Sequence, residues 1–238
     1  MFLRSLHTRD RQPERMDDPS IDPAEHRRAL AGLARINRFS GSAGHLWPCI
    51  RKLALEVAPR PLRILDVATG SGDVLLGLWK RAQQAGVALE LAGCDISDVA
   101  VTTALNEARQ WNANIHYFEH DALHGSLPAG FDVITSSLFL HHLDESDLTR
   151  LLKEMARAAT RAVLINDLSR SRLNFLLVWT ASRLLTRSRV VHEDGPLSVR
   201  AALTAAELRT LAEVAGLKGA TVTNRFPCRL MLEWRKPK

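Results

Sequence analysis

Short apolar runs alternate with longer amphipathic segments through most of the chain. Between the runs, apolar residues recur every three or four positions. Leu148, Leu151, Leu152 and Met155, for example, share one helix face. This alternation predicts an α/β fold in which helices pack on both faces of a mostly parallel sheet. The runs begin near residues 62, 89, 115, 131 and 162.

The pattern changes towards the carboxyl end. Thr204 and Glu207 have the spacing of a capping box, and they begin a helical pattern that ends at Gly216. Two strand-like runs follow, A-T-V-T-N and C-R-L-M-L-E-W-R, joined through R-F-P. The chain is therefore predicted to end in two adjacent strands.

The amino-terminal part does not follow the alternation. Residues 1–22 are polar and carry prolines, which predicts a flexible, solvated tail, with a binding arm as the alternative. A helix is predicted to begin at Pro23 with Asp22 as its cap. A glycine- and serine-rich break is expected at 37–48, before a second helix. Residues 23–60 would then form a helical cap.

One stretch, R-I-L-D-V-A-T-G-S-G-D from Arg63 to Asp73, is the strongest chemical signal in the sequence. A short apolar strand that contains an acid, Asp66, leads into a turn of small residues, and a helical pattern follows at once. Such a turn forms pockets for nucleotide-like ligands, because the ligand touches the backbone where a side chain would intrude. From Ala68 the turn reads A-x-G-x-G, which differs from the dinucleotide fingerprint G-x-G-x-x-G.

This order of residues resembles motif I of the class I S-adenosylmethionine-dependent methyltransferases. The form D-x-A-x-G-x-G-D is most similar to the ubiquinone and menaquinone methyltransferase-like branch, with Ala68 in place of the usual first glycine. The resemblance covers about residues 50–238. It implies a Rossmann-like seven-stranded sheet, mostly parallel, with an antiparallel carboxyl-terminal strand. It also implies a methyltransferase domain over 61–238 and S-adenosyl-L-methionine as the cofactor.

The resemblance also implies cofactor contacts at the strand ends. Asp95 ends the second strand, where a carboxylate would accept bonds from the ribose hydroxyls. Asp121 ends the third strand, where an acid would accept from the adenine amino group. The alternatives are a helix cap for Asp95, a role that suits Ser97 better, and a turn residue for Asp121. The residues expected to bind the cofactor are Asp66, Ala68, Gly70, Gly72, Asp95, Ile96, Asp121, Ala122 and Ser136.

Three histidines are candidates for the catalytic group that takes a proton from an acceptor hydroxyl, because histidine titrates near neutral pH. His141 and His142 follow the fourth strand in S-S-L-F-L-H-H-L-D, and His192 lies in a predicted loop with Glu193 and Asp194. A purely structural role is the alternative for each, and only one of the adjacent pair can face the site.

The segment from about 169 to 200 departs from a minimal domain and is predicted to be a helical lid insertion. Its apolar helix, Leu173 to Leu185, carries arginines and would suit a hydrophobic acceptor. A core helix is one alternative, and a peripheral membrane contact with arginines near phosphates is another. The residues expected to bind the acceptor substrate are Arg38, His45, Phe175 and Trp179.

The composition narrows the class of partner. The 238 residues are 46% hydrophobic, which suits a globular chain with a sizeable core. The net charge of +6 could serve an anionic partner, but the arginines are scattered, which argues against nucleic acid. Three cysteines without CxxC spacing indicate neither a metal site nor a disulfide framework, and the cytoplasm is the expected compartment. The oligomeric state is not indicated.

Together these features predict an enzyme that methylates a small hydrophobic, phenolic or quinone-like acceptor at oxygen or carbon. Three alternatives share parts of the pattern: an NAD(P)-dependent Rossmann oxidoreductase, an RNA methyltransferase and a non-catalytic cofactor-binding protein. The first would need a third turn glycine and leaves Asp66 without a role. The second commonly carries N-P-P-[YF] at the fourth strand, where this chain has S-S-L-F.

Overall fold

The computed structural model describes residues 6–18 and 20–237, with the backbone alone for 38–40. Seven strands form one sheet in the order β3-β2-β1-β4-β5-β7-β6. All neighbouring pairs are parallel except those that involve β7, which runs antiparallel to β5 and β6. The predicted Rossmann-like sheet with an antiparallel carboxyl-terminal strand is therefore confirmed. The strands are β1 Leu62–Val67, β2 Leu89–Asp95, β3 Ile115–Glu119, β4 Val133–Ser137, β5 Ala162–Leu168, β6 Thr221–Arg225 and β7 Arg229–Arg235.

The helices cover both faces of the sheet. Leucines of α5 and α8 join one buried cluster with β4 and β5, and leucines of α2 and α3 join a second cluster with β1 and β2. The described helices are α1 Pro23–Ser40, α2 Ser42–Val57, α3 Asp73–Ala85, α4 Asp98–Gln110, α5 Glu145–Ala158, α6 Arg172–Leu185, α7 Arg189–Ala201 and α8 Ala205–Val214. Because β1 leads to β2 on one side and β4 lies on the other, a crevice opens between β1 and β4.

Two predicted loops are helical instead. The expected break at 37–48 is reduced to Gly41, whose left-handed φ of 73° ends α1, while its amide donates to the Asn37 carbonyl over 2.9 Å. The predicted loop at His192 lies inside α7, which begins at Ser188 as its cap and includes Pro196. In both places the sequence signals of a loop are overridden by packing, since α1 and α7 bury Ala29 and Val191 against each other.

The amino-terminal segment, residues 6–18, packs against the domain, in contrast to the solvated tail that was expected. Arg9 donates to the carbonyls of Ala201, over 2.7 Å, and Leu143, over 2.6 Å. The Asp194 carboxylate of α7 accepts the backbone amides of Arg15 and Met16 over 3.0 and 2.9 Å. This segment therefore closes one side of the crevice. No helix among the described residues has the length and apolar character needed to cross a bilayer.

Candidate active site at the carboxyl edge of the sheet

A cavity of about 830 Å³ lies over the carboxyl ends of β1, β2 and β4, in the size range of small-molecule sites. The glycine turn after β1 forms one end, and the residues after β4 form the other. Helices α1 and α7 and the amino-terminal segment cover it with apolar side chains. The cavity is thus open to the sheet edge where α/β folds bind ligands. Apolar residues of the cover are Met16, Ile21, Leu30, Leu33, Ile36 and Val191.

The turn after β1 is held in a conformation that only small residues accept. Ala68, Gly70 and Gly72 all have left-handed φ angles, of 55°, 56° and 74°. A Cβ on Gly72 would collide with the Tyr117 hydroxyl, which itself donates to the Gly72 carbonyl over 3.3 Å. Ala68 and Gly70 line the cavity, whereas Gly72, which was also expected to bind the cofactor, packs against Tyr117 and is not part of the cavity wall.

Asp66 lies beneath the turn with only 1% of its surface exposed. Its carboxylate accepts the hydroxyls of Thr135, over 2.6 Å, and Thr69, over 3.0 Å. Burial raises the pKa of Asp66 to about 7 although these bonds oppose the shift. Asp73 at the start of α3 also lines the cavity, and burial raises its pKa to about 6. Within the described part of the chain, neither of these carboxyl groups forms an ion pair with a cation.

Asp95 at the end of β2 connects the turn to the next helix. Its carboxylate accepts the amide of Gly70 over 2.8 Å and that of Ser97 over 3.0 Å, and burial raises its pKa. Ser97 caps α4 through the Ala100 amide, so Asp95 is not the cap, as predicted. Asp95 nevertheless already accepts two amides, whereas the sequence suggested a free carboxylate. Ile96 beside it is exposed and lines the cavity.

Asp121 and Ala122 also line the cavity, after β3. The Asp121 carboxylate accepts the amide of Leu123 over 2.9 Å, and His124 Nδ1 lies 2.8 Å from its second oxygen. Burial would raise the pKa of Asp121, but the hydrogen bond to His124 outweighs it and holds that pKa below its usual value. Asp121 is therefore a turn residue, as the sequence analysis allowed. A ligand that binds its carboxylate would do so alongside Leu123 and His124.

Of the two serines at the end of β4, Ser137 lines the cavity and Ser136, which was expected to bind the cofactor, does not. Ser136 is fully buried and donates to the Val67 carbonyl over 2.9 Å, so it ties β4 to β1. Ser137 lines the cavity, and its hydroxyl is buried without a partner among the described residues. A buried hydroxyl without a partner is costly, which favours a ligand there. His120 also lies on the cavity wall, and its Nε2 atom is likewise buried without a hydrogen-bond partner among the described residues.

His141 and Asp167 form a buried pair at the other end. His141 Nδ1 lies 2.7 Å from Asp167, whose carboxylate also accepts the amide of Leu140 over 2.7 Å. Burial would raise the pKa of Asp167, but the charge and hydrogen bond of His141 hold it below its usual value. An ionised carboxylate at Nδ1 fixes the ring so that Nε2 is left to accept a proton. His141 lines the cavity.

His142 lines the cavity beside His141 but is bound to the amino-terminal segment. Its Nδ1 lies 2.8 Å from Asp17 and 3.9 Å from Glu14. Burial lowers the pKa of His142, but the Asp17 bond and the Glu14 charge outweigh it and raise that pKa to about 9. A histidine that stays protonated at neutral pH is unsuited to act as a base, and His142 instead holds the segment in place.

Glu14, His141 and His142 also form a group with metal-ligand spacing among the described residues, all ligand atoms lying within 4.8 Å of one another. The sequence indicated no metal. The carboxylates of Asp17 and Glu14 raise the pKa of His142 to about 9, and a metal would first have to displace the proton that they stabilise.

The remaining predicted residues lie away from the cavity. His45 bridges the side chain of Asn166, at 3.2 Å, and the carbonyl of Phe226, at 2.9 Å. His192 Nε2 lies 2.9 Å from the carbonyl of Thr186. Phe175 packs against α7 residues, and Trp179 is exposed with the Arg183 guanidinium over its ring. The side chain of Arg38 lies outside the described part of the chain. His45, His192, Phe175 and Trp179 are all absent from the cavity wall.

Sequence reasoning missed four acids of the site: Glu14, Asp17 and Asp73, which line the cavity, and Asp167, which pairs with His141. Asp167 had a signal, since it lies near the carboxyl end of β5 in A-V-L-I-N-D-L. Asp73 follows the glycine turn directly. Glu14 and Asp17 had none, because they belong to a segment whose composition indicated a solvated tail.

Comparison with known proteins decides between the ligand classes that this geometry allows. Residues 64–161 match the family model of a methyltransferase domain. This part of the chain is a methyltransferase domain. The resemblance inferred from motif I is thereby confirmed.

Relatives of the methyltransferase domain include two bacterial demethylmenaquinone methyltransferases. That of Thermus thermophilus is 36% identical over 106 residues, 44% of this chain and 44% of that protein. That of Deinococcus radiodurans is 35% identical over 108 residues, 45% of this chain and 42% of that protein. The match thus spans less than half the length of either relative.

The solved structures show the same fold over most of the chain. The plantazolicin methyltransferase BpumL, in complex with a substrate analogue and S-adenosylhomocysteine (SAH), superposes with a TM-score of 0.66 at 17% identity, covering 89% of this chain and 91% of that one. Magnesium protoporphyrin IX methyltransferase from Synechocystis, with bound SAH, gives 0.56 at 16% identity, covering 94% and 92%. At such identity the likeness concerns the fold alone.

Proposed function

We propose that this protein is an S-adenosyl-L-methionine-dependent methyltransferase that acts on a small hydrophobic acceptor. The observation that carries the proposal is the single cavity that joins the acidic glycine-turn end to the His141–Asp167 pair. One end has the features of a cofactor pocket, and the other has a base. The methyltransferase domain covers the cofactor end, from β1 to the start of β5.

The cofactor end fits a cationic ligand. S-adenosyl-L-methionine, when bound, supplies a methyl group activated by a positively charged sulfonium sulfur, and it also carries an ammonium group. Burial raises the pKa values of Asp66 and Asp73. A positive ligand would favour their ionised forms. The open backbone at Gly70 and the unpaired hydroxyl of Ser137 offer further polar contacts.

The protein's own groups would then align the acceptor and remove its proton. Holding the two reactants in line supplies most of the rate enhancement in such a transfer. His141 Nε2 accepts the proton of an acceptor hydroxyl, while Asp167 keeps the ring oriented and stabilises the charge that forms. Apolar residues of α1 and α7 exclude water above them.

The acceptor that we propose is a phenol or quinol-like molecule, methylated at oxygen or carbon. The cavity cover is largely apolar, and the relatives from Thermus and Deinococcus are named for demethylmenaquinone, an aromatic acceptor. The described cysteines are all unpaired, which supports a reducing cytosol as the compartment. An NAD(P) enzyme is disfavoured because the acids of the turn would oppose an anionic pyrophosphate. A cofactor-binding protein without activity remains the second candidate if no acceptor is methylated.

Calorimetric titration with SAH tests the proposal first. We expect wild-type protein to bind in the micromolar range and Asp95→Asn to bind about 10- to 100-fold more weakly, because a charge-assisted hydrogen bond contributes about 1.5–3 kcal/mol. Glu119→Gln is the matched control, since it changes the exposed acid that pairs in register with Asp95 on β3. Folded wild-type protein that binds NADH but not SAH would refute the proposal.

A further inference from the structure

Helix α6 presents its apolar side chains to solvent. Leu173, Leu176 and Leu184 are 59%, 60% and 78% exposed, and Leu177 and Trp179 are 40% and 44% exposed. Positions 173, 176, 177 and 184 fall on one face of a helix. Half of the large apolar side chains exposed in the described part of the chain therefore lie on this helix.

The inner face of α6 is not uniformly apolar, since its two buried residues are polar and Phe175 and Val178 are half-buried. Asn174 and Ser182 are its fully buried residues, and Asn174 donates to the Ser169 carbonyl over 2.8 Å. Val178 reaches the cavity between them. A helix face that meets water normally carries polar residues, so the stripe of exposed leucines indicates an apolar environment outside the protein.

The charge around this face has one sign. From Leu168 to His192 the sequence contains no acid and five arginines. Arg170 is buried and paired with Glu207, whereas the other four are exposed. Arg183 stacks on Trp179, with its guanidinium 4.2 Å from the ring centre. The exposed arginines are Arg172, Arg183, Arg187 and Arg189.

We infer that α6 docks the protein on an anionic lipid bilayer, with the helix lying in the interface. Leucines and a tryptophan enter the acyl boundary, and the flanking arginines bind lipid phosphates, which is the combination that interfacial helices use. A second copy of the chain is disfavoured, because a two-fold interface through this face would bring the same arginines opposite one another without an acid.

The location of α6 connects docking to the cavity. Val178 lies on the inner side of the same helix and lines the cavity wall, so docking brings the cavity within one helix diameter of the lipid. A hydrophobic acceptor could then pass between bilayer and site. This consequence rests on the proposed function, whereas docking itself does not.

Sedimentation with lipid vesicles tests the inference. Full-length protein is mixed with vesicles of phosphatidylcholine alone or with about 30% phosphatidylglycerol. We expect binding to the anionic vesicles that falls as salt is raised, and little binding to the neutral ones. Leu176→Asp with Leu184→Asp should weaken binding at least about 10-fold. Leu55→Asp, at an equally exposed leucine of α2, is the control and should bind as wild type does.

Thermal melting of each variant shows that it is folded, and because it needs no ligand, this test is independent of the proposed function. Equal vesicle binding by the α6 variant and the Leu55 control would overturn the inference. Failure of the wild-type protein to sediment with anionic vesicles would also overturn the inference. Self-association that the α6 substitutions abolish, measured by sedimentation velocity without lipid, would assign the face to a second copy instead.

Discussion

Asp66 shows how a single residue can weaken the fold and still serve the site. It is buried without a cation, and its raised pKa means that the folded protein favours the neutral carboxyl. At neutral pH, ionisation of this group therefore works against folding. A cationic ligand would reverse the balance, which is the behaviour expected of a binding residue.

This reasoning predicts that Asp66→Asn stabilises the protein increasingly as pH rises. The wild-type carboxyl binds a proton in the folded state up to about pH 7 but loses it near 3.8 when unfolded, so its stability falls across that range. Asparagine has no such dependence, and its amide can still bond Thr69 and Thr135. Melting temperatures at pH 5 and 8 should show a larger gain at pH 8.

The exposed acid Glu107 on α4 supplies the control, since Glu107→Gln should show no such trend. SAH affinity of Asp66→Asn should fall at the same time. A gain in stability that is equal at both pH values would mean that Asp66 is ionised, and already compensated, in the free protein.

Asp167 acts through its neighbour, so its replacement should affect turnover more than binding. Asp167→Asn keeps the shape of the pair with His141 but loses the charge that orients the ring. With a phenolic or quinol acceptor found by screening, we expect kcat to fall about 100-fold or more while KM and SAH affinity stay near wild-type values. His192→Gln, on a histidine outside the cavity, should keep its activity. A loss confined to KM would make Asp167 a substrate-binding residue.

At the scale of elements, Glu207 at the start of α8 takes part in two interactions, a helix cap and an ion pair, and the sequence predicted only the cap. Thr204 and Glu207 form the predicted capping box. Glu207 additionally makes two hydrogen bonds to the buried Arg170, of 2.6 and 2.8 Å, and Arg170 also donates to the carbonyls of Ala202 and Leu6. One carboxylate thus caps a helix and neutralises an arginine next to the insertion.

Glu207→Gln should therefore destabilise the protein by about 2 kcal/mol, a shift of roughly 4–8 °C in melting temperature. Glutamine can keep the cap but leaves Arg170 without its counter-charge. Burial would raise the pKa of Glu207, but the hydrogen bonds and charge of Arg170 lower it to about 2. The pair's contribution is then complete above about pH 4.5 and declines as pH falls, so the difference in stability between the two proteins should shrink below pH 4.5 and vanish only as pH approaches 2. Glu213→Gln on the same helix is the control, and an equal loss there would contradict the pairing.

The sequence was most informative where local patterns and packing agree. The alternation of apolar runs and amphipathic segments predicted the sheet, because the turn residues on either side of each strand mark where it begins and ends. It was least informative around Gly41 and α7, where a glycine or proline pattern indicates a loop but long-range contacts of Ala29 and Val191 favour a helix. Ser136 and Ser137 illustrate the same limit at one strand end. Adjacent strand residues face opposite sides, and nothing local shows which side holds the cavity.

At the scale of the whole molecule, the cavity unites groups from distant parts of the chain into an acidic pocket closed by an amino-terminal segment. Asp66, Asp73 and Asp95 surround the glycine turn, and burial raises all three pKa values. The protein as a whole is basic, with a net charge of +6. The negative charge is therefore confined to the pocket. Such a pocket can select a cationic ligand, although the protein as a whole would not attract cations.

Binding of the methyl donor should consequently release protons and strengthen with pH. Asp66 and Asp73 are largely neutral at pH 5.5 and largely ionised at pH 7.5 once a cation is near, since their pKa values in the free protein are about 7 and 6. Affinity for S-adenosyl-L-methionine should rise about 10-fold or more over this range. Titrations in two buffers of different ionisation enthalpy would measure the released protons.

Methylthioadenosine, which has the nucleoside part but neither the ammonium nor the sulfonium charge, is the matched ligand. Its affinity should change little between pH 5.5 and 7.5, because a neutral ligand does not favour the ionised carboxylates. The difference between the two ligands isolates the charge of the donor from general effects of pH on the fold. Identical pH dependence for both would show that the buried acids shape the pocket without sensing the cation, and the electrostatic basis proposed for donor binding would fail.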